Sequence, residues 1–484
     1  MAEETLKDKT AKGLFWGGVS NGLQQILNLV FGIILLRVLD AEDYGMVGML
    51  AIFMGIASTI QESGFSAALI NIKEFKHEDY NAVFWFSLIA GIIIYIILFF
   101  VAPLISWFYE KPELTNLSRF LFVGILFGGM GIAHNAALSK KLMVKEKAKV
   151  DVIALLASGI IGVILALNGF AYWGLAVQSV TYVGVSTFLR WHYSPWKPSM
   201  HINLSPLNDM FSFSIKLFLT NIFWQINTNI FSVLLGKFYN PKQVGYYSQG
   251  NKWTVMGSTV IVGMINSIAQ PVLTQMSDDI ERQRNAFRKM LRFGAFVSFP
   301  LMLGLAFVGK EFLLIAGGDK WLPSVSFLQL FSIWGAIYYM WHLYVSILIT
   351  HGKSNIYLGG MLLVGLLQLV TVGLMFPYGI FPMVIIYIFS YFIGLLFWHY
   401  YVKKIIGLGF FMVMKDIMPY LLITLGTFIL TWVITFKIDN LYVLFVSKII
   451  IAAIIYILIM WSSNSVIFRE CMTYLKLDKF FFRK

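Results

Sequence analysis

Residues 20–45 read SNGLQQILNLVFGIILLRVLDAEDYG, and residues 220–245 read TNIFWQINTNIFSVLLGKFYNPKQVG. Aligned without a gap, Asn21 meets Asn221, Gln25 meets Gln225, Ile26 meets Ile226 and Phe31 meets Phe231. Leu35 meets Leu235 and Gly45 meets Gly245, while Ser20 faces Thr220 and Arg37 faces Lys237. A self-match at a fixed offset reads as a duplicated unit. The two stretches hold the first and seventh of fourteen apolar runs: 13–36, 44–70, 80–103, 117–138, 151–168, 171–189, 211–235, 248–275, 293–309, 324–349, 355–375, 381–402, 417–436 and 441–462. Six helices per unit is an even number, so both copies cross the membrane in the same sense. Copies of that kind are related by an axis along the membrane normal. The expected fold is an all-α membrane protein with two pseudo-symmetric six-helix lobes. The lobes fall at 1–189 and 211–402, joined by a cytoplasmic linker over 190–210. Two further helices fill 403–462, and 463–484 is a cytoplasmic tail whose Phe480–Phe482 and Lys479 suit the membrane interface.

The composition requires a membrane. Of 484 residues 58% are hydrophobic and 13% charged, with a mean hydropathy of +0.76. A water-exposed surface this apolar aggregates. About 20 apolar residues are needed per helical crossing, and open sheet edges are too costly in lipid. Met1 to Lys12 is polar and no small-residue cleavage site follows, so the first run is expected to be a retained span. The net charge of +13 does not point to nucleic acid, because Lys and Arg concentrate in alternate loops. With the N-terminus in the cytoplasm this is the positive-inside bias, and both termini then lie inside. The richest loops hold Lys140, Lys141, Lys145, Lys147 and Lys149, and Arg282, Arg284, Arg288, Lys289 and Arg292. They read first as topology anchors beside anionic lipid. Cys471 is the only cysteine, which excludes an intrachain disulfide.

Polar residues inside the spans carry the functional question. Asn21, Gln25 and Asn28 are spaced four and three apart and share one helix face, and Asn221, Gln225 and Asn229 form a similar one. Such amides are either interhelical bridges or the lining of a wet cleft; their repetition favours the cleft. Glu62 reads as the one clearly embedded acid, where a charge at mid-bilayer costs roughly 2.5–3.5 kcal/mol. Its candidate roles are proton or cation coupling, or a counter-ion to a basic neighbour. Arg37 ends the first span on the outer side, in reach of Asp40, Glu42 or Asp43. Arg119 and Lys216, near helix starts, can snorkel. Lys252 and Lys448 lie deeper, and Lys252 is the preferred cavity cation. His134 and His342 are single histidines on apolar helices and read as packed or hydrogen-bonded. Gly124-x-x-x-Gly128 permits close helix approach, and Pro300 is expected to distort the ninth span.

Several chemistries are missing from the sequence. There is no Walker A motif for ATP, no His/Cys spacing for zinc and no loop long enough for a catalytic domain, so neither an enzyme nor a cofactor is expected. Asp278-Asp279 stands in a basic loop and reads as a solvated helix start rather than an acidic metal pair.

Leu35-Leu36-Arg37-Val38-Leu39, Asp43-Tyr44-Gly45 and Glu62-Ser63-Gly64-Phe65-Ser66-Ala67-Ala68-Leu69-Ile70 resemble the start of polysaccharide flippases of the multidrug/oligosaccharidyl-lipid/polysaccharide (MOP) superfamily, in the colanic-acid-type lipopolysaccharide biosynthesis branch. Val244-Gly245-Tyr246-Tyr247-Ser248, Gln270-Pro271-Val272-Leu273, Phe299-Pro300-Leu301 and Gly318-Asp319-Lys320-Trp321 follow in the order of that family. The match runs over residues 10–340 and departs from it at Asn135, where a proline is expected. The resemblance implies two lobes around a central cavity that opens alternately to each side of the bacterial inner membrane. It also implies a polyprenyl-diphosphate-linked oligosaccharide as cargo, with a polymerase and a chain-length protein as partners. On that reading Lys252 and Lys216 meet the diphosphate, while the two amide faces line the sugar path. A cation-coupled multidrug exporter of the same superfamily would need more embedded acids. A membrane polysaccharide polymerase or ligase would need a sizeable basic outer loop.

Overall fold

The computed structural model describes residues 6–71 and 76–474; for 6–15, 71, 212, 213, 216 and 474 it describes the backbone alone. All regular elements among the described residues are helical. The first span is α1 (Leu6–Val38). The second is broken into α2 (Ala41–Gly48), α3 (Ala51–Glu62) and α4 (Phe65–Asn71). Then come α5 (His77–Tyr109), α6 (Leu114–Lys140), α7 (Val144–Leu167), α8 (Tyr172–Tyr193), α9 (Leu207–Phe238) and α10 (Pro241–Gln275). The ninth span is α11 (Ile280–Ser298), a π-helical turn Phe299–Leu303 and α12 (Gly304–Phe307). The chain continues through α13 (Gly309–Gly317), α14 (Leu322–Thr350), α15 (Ser354–Met375), α16 (Ile380–Ile406), α17 (Phe410–Thr435), α18 (Leu441–Ser462) and α19 (Val466–Tyr474).

Twelve segments among the described residues are long and apolar enough to cross a membrane. The two other expected spans, α8 and α9, are helices of 22 and 32 residues but are not among the twelve. Both are diluted by polar side chains, Gln178, Ser179 and Thr181 in one and Asn221, Gln225, Asn227 and Asn229 in the other. Asn168 and Gly169 divide α7 from α8 as expected, with Gly169 at φ +81°. The expected tail residues beyond 474 lie outside the described residues.

By Cα proximity the chain divides into two compact units, Met1–Ser248 and Gln249–Lys484, so the boundary falls inside α10. In the first unit α5 packs on α6, α7 on α8 and on α1, and α9 on α3, α4 and α5. The repeat reappears there as a reciprocal contact. A Cβ built on Gly45 would sit 1.7 Å from the carbonyl oxygen of Pro241, and one on Gly245 would sit 1.8 Å from that of Ala41. These four residues are two pairs at the same 200-residue offset. Residue i meets j and the counterpart of i meets the counterpart of j, which is the mark of a twofold contact. Matching caps aim the two helices. Asp40 and Asp43 form a capping box at the start of α2, and Asn240 Oδ1 accepts from the Gln243 amide (3.0 Å) at the start of α10.

The connection between α8 and α9 is clamped to the same unit. The Asn81 side chain on α5 donates to the His201 carbonyl (2.6 Å) and accepts from the Ser199 amide (2.9 Å). Trp85 Nε1 donates to the Ser199 carbonyl (2.8 Å), and Trp196 is buried among Phe65, Phe84 and Ala137.

In the second unit α11 packs on α14 and α17, α15 on α16, and α18 on α13 and α17. Pro300 produces the π turn, because its missing N–H interrupts the i→i−4 ladder. Two ion pairs tie α17 and α18 to this body. Arg288 grips Asp416 through Nε and Nη2 (2.7 and 3.0 Å), and Lys448 Nζ reaches Glu311 at 2.7 Å.

Gly45→Ala and Gly245→Ala should each destabilise the protein by roughly 1–3 kcal/mol, the cost of overpacking a filled site. Gly373, with nothing within 4 Å of a built Cβ, should tolerate alanine. Thermal unfolding in detergent, read by size-exclusion chromatography, checks the contrast: lowered midpoints for the first two and an unchanged or raised one for Gly373→Ala.

Candidate functional site

The α1 face carries Asn21 and Asn28 exposed and Gln25 half-buried, with α7 as the main neighbour of the helix. On α9, Asn221 is exposed, and Gln225 and Asn229 are half-buried. Asn229 Nδ2 donates to the Gln225 carbonyl (3.0 Å) and to its side-chain Oε1 (3.2 Å), which orients the amide. Gln225 is seated against α3, since a Cβ on Gly55 would lie 2.4 Å from Gln225 Oε1. The two amide faces are thus repeated in sequence but rest on different neighbours. On each, at least one asparagine is left open.

Lys252, on α10, is exposed, with its ammonium 5.5 Å from the Trp253 ring. Among the described residues no carboxylate lies within 4 Å of it. The side chain of Lys216 lies outside the described residues. Arg37 is exposed in the last turn of α1. Nearby helix ends carry two ion pairs, Lys111–Glu42 (3.2 Å) and Lys237–Glu110 (2.9 Å).

Glu62 is not in the middle of a continuous span. It is the last residue of α3 and is exposed, beside a chain break made by Ser63 at φ 44° and Gly64 at φ +72°. The left-handed pair ends the helix. Glycine is required at the second position because a Cβ there would lie 2.7 Å from the Ser214 carbonyl of α9. The buried polar group of this segment is the neighbouring Gln61. Its amide donates to the carbonyls of Ser87 (3.1 Å) on α5 and Ile125 (2.8 Å) on α6. Gly91 and Gly129 make room, with built Cβ atoms 2.2 and 2.3 Å from Gln61 Nε2. Gly128 of the expected glycine pair borders the same amide at 3.4 Å.

Glu62 is also not the only embedded acid, which corrects the sequence reading. Glu311 and Asp416 are 6% and 4% exposed, each held by a cation. Their partners lie 137 and 128 residues away, so no local spacing announces them. Lys448 lines an apolar cavity of about 470 Å³ with Pro300, Phe307, Phe428 and Tyr456. Glu311 already neutralises it, and the Phe307 ring lies 4.7 Å away. Arg119 donates to the Phe99 carbonyl (3.2 Å) and stacks on that ring at 4.2 Å. His134 is packed between Trp191 (4.6 Å, stacked) and Trp196 (5.1 Å, edge-on), and His342 Nδ1 lies 3.3 Å from Asn266. Asp279 caps α11 by accepting from the Arg282 amide (3.0 Å), the solvated helix start that was expected.

Three comparisons place this geometry. The family model described as polysaccharide biosynthesis protein matches residues 34–326. The lipopolysaccharide biosynthesis protein WzxC of Escherichia coli K12 is 24% identical over 339 residues, covering 69% of this chain and 68% of WzxC. The solved lipid II flippase MurJ, in an inward closed conformation, superposes with a TM-score of 0.76 at 16% identity, over 94% of this chain and 99% of that one. An inward-facing multidrug resistance MATE transporter of the MOP superfamily gives 0.63 at 15% identity, over 79% and 95%. The fold is therefore the one that these two solved proteins have, in a multi-pass membrane protein.

Removing one partner of the Lys448–Glu311 pair strands a buried charge, at a cost of about 3–5 kcal/mol. Lys448→Met and Glu311→Gln should each lower the unfolding midpoint in detergent. The double variant should recover most of the loss.

Proposed function

This chain belongs to the polysaccharide biosynthesis protein family, and on that premise we propose that it carries a polyprenyl-diphosphate-linked oligosaccharide across the bacterial inner membrane. The movement is alternating access by two six-helix lobes, 1–189 and 211–402, joined by 190–210. Helices 403–462 are additions, and both termini are cytoplasmic. The product serves O-antigen, capsule or exopolysaccharide assembly, with a polymerase and a chain-length protein downstream.

One observation carries this reading. Lys448, Arg288 and Arg119 are satisfied within the protein, whereas Lys252 has a tryptophan ring and, among the described residues, no carboxylate within 4 Å. An uncompensated cation in a membrane protein suits an anionic cargo. A bare diphosphate in hydrocarbon would cost on the order of tens of kcal/mol in the Born limit, so the path must supply charge and hydrogen bonds. Lys252 supplies charge. The amides of Asn21, Gln25, Asn28, Asn221, Gln225 and Asn229 suit sugar hydroxyls, which both donate and accept. The two buried acids argue against a cation exporter, because Glu311 and Asp416 are already paired with Lys448 and Arg288. With the termini inside, the Gly45–Gly245 crossing lies at the outer face. It has to part for release on that side.

Translocation of a lipid-linked oligosaccharide in reconstituted vesicles tests the proposal. Lys252→Ala should lower the initial rate at least tenfold, with Lys252→Arg recovering part of it. A Lys252→Ala rate equal to wild type removes the diphosphate role of that residue. A wild-type protein that moves no lipid-linked sugar removes the function.

A further inference from the structure

Polar side chains on α10 fall on one line. Lys252, Thr259, Asn266, Gln270 and Thr274 follow one another at intervals of seven, seven, four and four, with Gly263 at the same angle between them. At 3.6 residues per turn these positions stay within about 80° of one another, and from Lys252 to Thr274 the helix rises about 33 Å. That is enough to cross the hydrocarbon. We propose that this stripe, continued by His342 and Thr350 of α14, is a hydrogen-bonding track that takes the hydroxyls of the oligosaccharide as it crosses. Naming the sugar rests on the function proposed above; the water-lined track does not.

All five side chains are exposed. Amides and hydroxyls facing hydrocarbon would leave donors and acceptors unsatisfied, so the stripe faces water or a polar ligand. Another side of the same helix, at Met264 and Ile268, is exposed and apolar, which suits lipid. Two contacts in one register hold the stripe against α14. Asn266 Nδ2 lies 3.3 Å from His342 Nδ1, and Thr274 Oγ1 lies 3.3 Å from Thr350 Oγ1, each pair 76 residues apart. With the Asn266 amide donating, Nε2 of His342 carries the ring proton, and that atom is buried without a partner. Thr259 donates its proton to the Val255 carbonyl (2.7 Å) and presents an acceptor oxygen. Gln270 makes no side-chain hydrogen bond among the described residues. Beside it Pro271 lacks the N–H that would bond the Ser267 carbonyl, which adds a backbone acceptor next to the exposed Ser267 side chain. Interhelical bridging would consume these groups. Here two bridges leave over an amide, an imidazole N–H, a hydroxyl oxygen and a carbonyl. Sugar hydroxyls both donate and accept, so a mixed set of this kind matches them. The stripe holds an ammonium, borders an imidazole and has no carboxylate, so it favours neutral or acidic sugars over those with a free ammonium.

Cys471→Ser gives a cysteine-free parent for the test. Thr259→Cys, Asn266→Cys, Gln270→Cys and Thr274→Cys are each made in that full-length parent. In membrane fragments open on both sides they should react with a charged thiosulfonate at least tenfold faster than Met264→Cys and Ile268→Cys. Equal rates on the two sides of α10 overturn the track. Translocation of a lipid-linked oligosaccharide in vesicles then tests the sugar. Gln270→Leu keeps the size and removes the amide, and should lower the initial rate at least fivefold. Gln270→Asn should recover part of it, a gain that a folding defect does not produce. A fast-reacting stripe with Gln270→Leu moving cargo at the wild-type rate overturns the sugar role. A fast-reacting stripe in a protein whose wild type moves no lipid-linked sugar removes the proposed function and the sugar assignment with it, while the aqueous track stands.

Discussion

The structure of the first unit depends on two polypeptide backbones touching where no side chain fits. At Gly45 and Gly245 the carbonyls of Pro241 and Ala41 occupy the space of a Cβ. Lipid gives little hydrophobic drive between helices, so close backbone approach and packing supply much of the cohesion. The caps at Asp40 and Asn240 start each helix at the residue that brings its glycine into register. A contact of this kind is steep in distance. It is made fully or lost, and that suits an element with two states better than one that deforms gradually.

Charge is distributed on a different principle in the second unit. The buried acids Glu311 and Asp416 are committed to Lys448 and Arg288, and those pairs hold α17 and α18 in place. Commitment removes these groups from cargo handling. Lys252 is the contrasting case, an exposed cation without a carboxylate within 4 Å among the described residues.

The all-helical class, the 200-residue repeat, the α7–α8 division and the distortion at Pro300 were legible in the sequence. Each is written in local pattern: apolar run length, a gapless self-match, a glycine turn and a missing N–H. The break after Glu62 was hidden, because two residues of left-handed backbone, Ser63 and Gly64, leave the apolar run uninterrupted. The paired acids were hidden for another reason. Glu311 sits between the ninth and tenth apolar runs, in a stretch that reads as a connection, and its cation lies 137 residues further on. The amide faces were legible as faces, but not their neighbours. Gln225 meets Gly55 in α3, a partner that only the folded chain reveals.

A reversible lock on the twofold crossing tests the central claim most directly. A Cβ on Gly48 would lie 3.1 Å from Val244 Cγ1, within the range a disulfide bridges. Cys471→Ser leaves no native cysteine to interfere. With Gly48→Cys and Val244→Cys added, oxidised protein in vesicles should move no lipid-linked oligosaccharide, and reduction should restore transport. Transport by the fully cross-linked protein at the reduced rate would contradict the account.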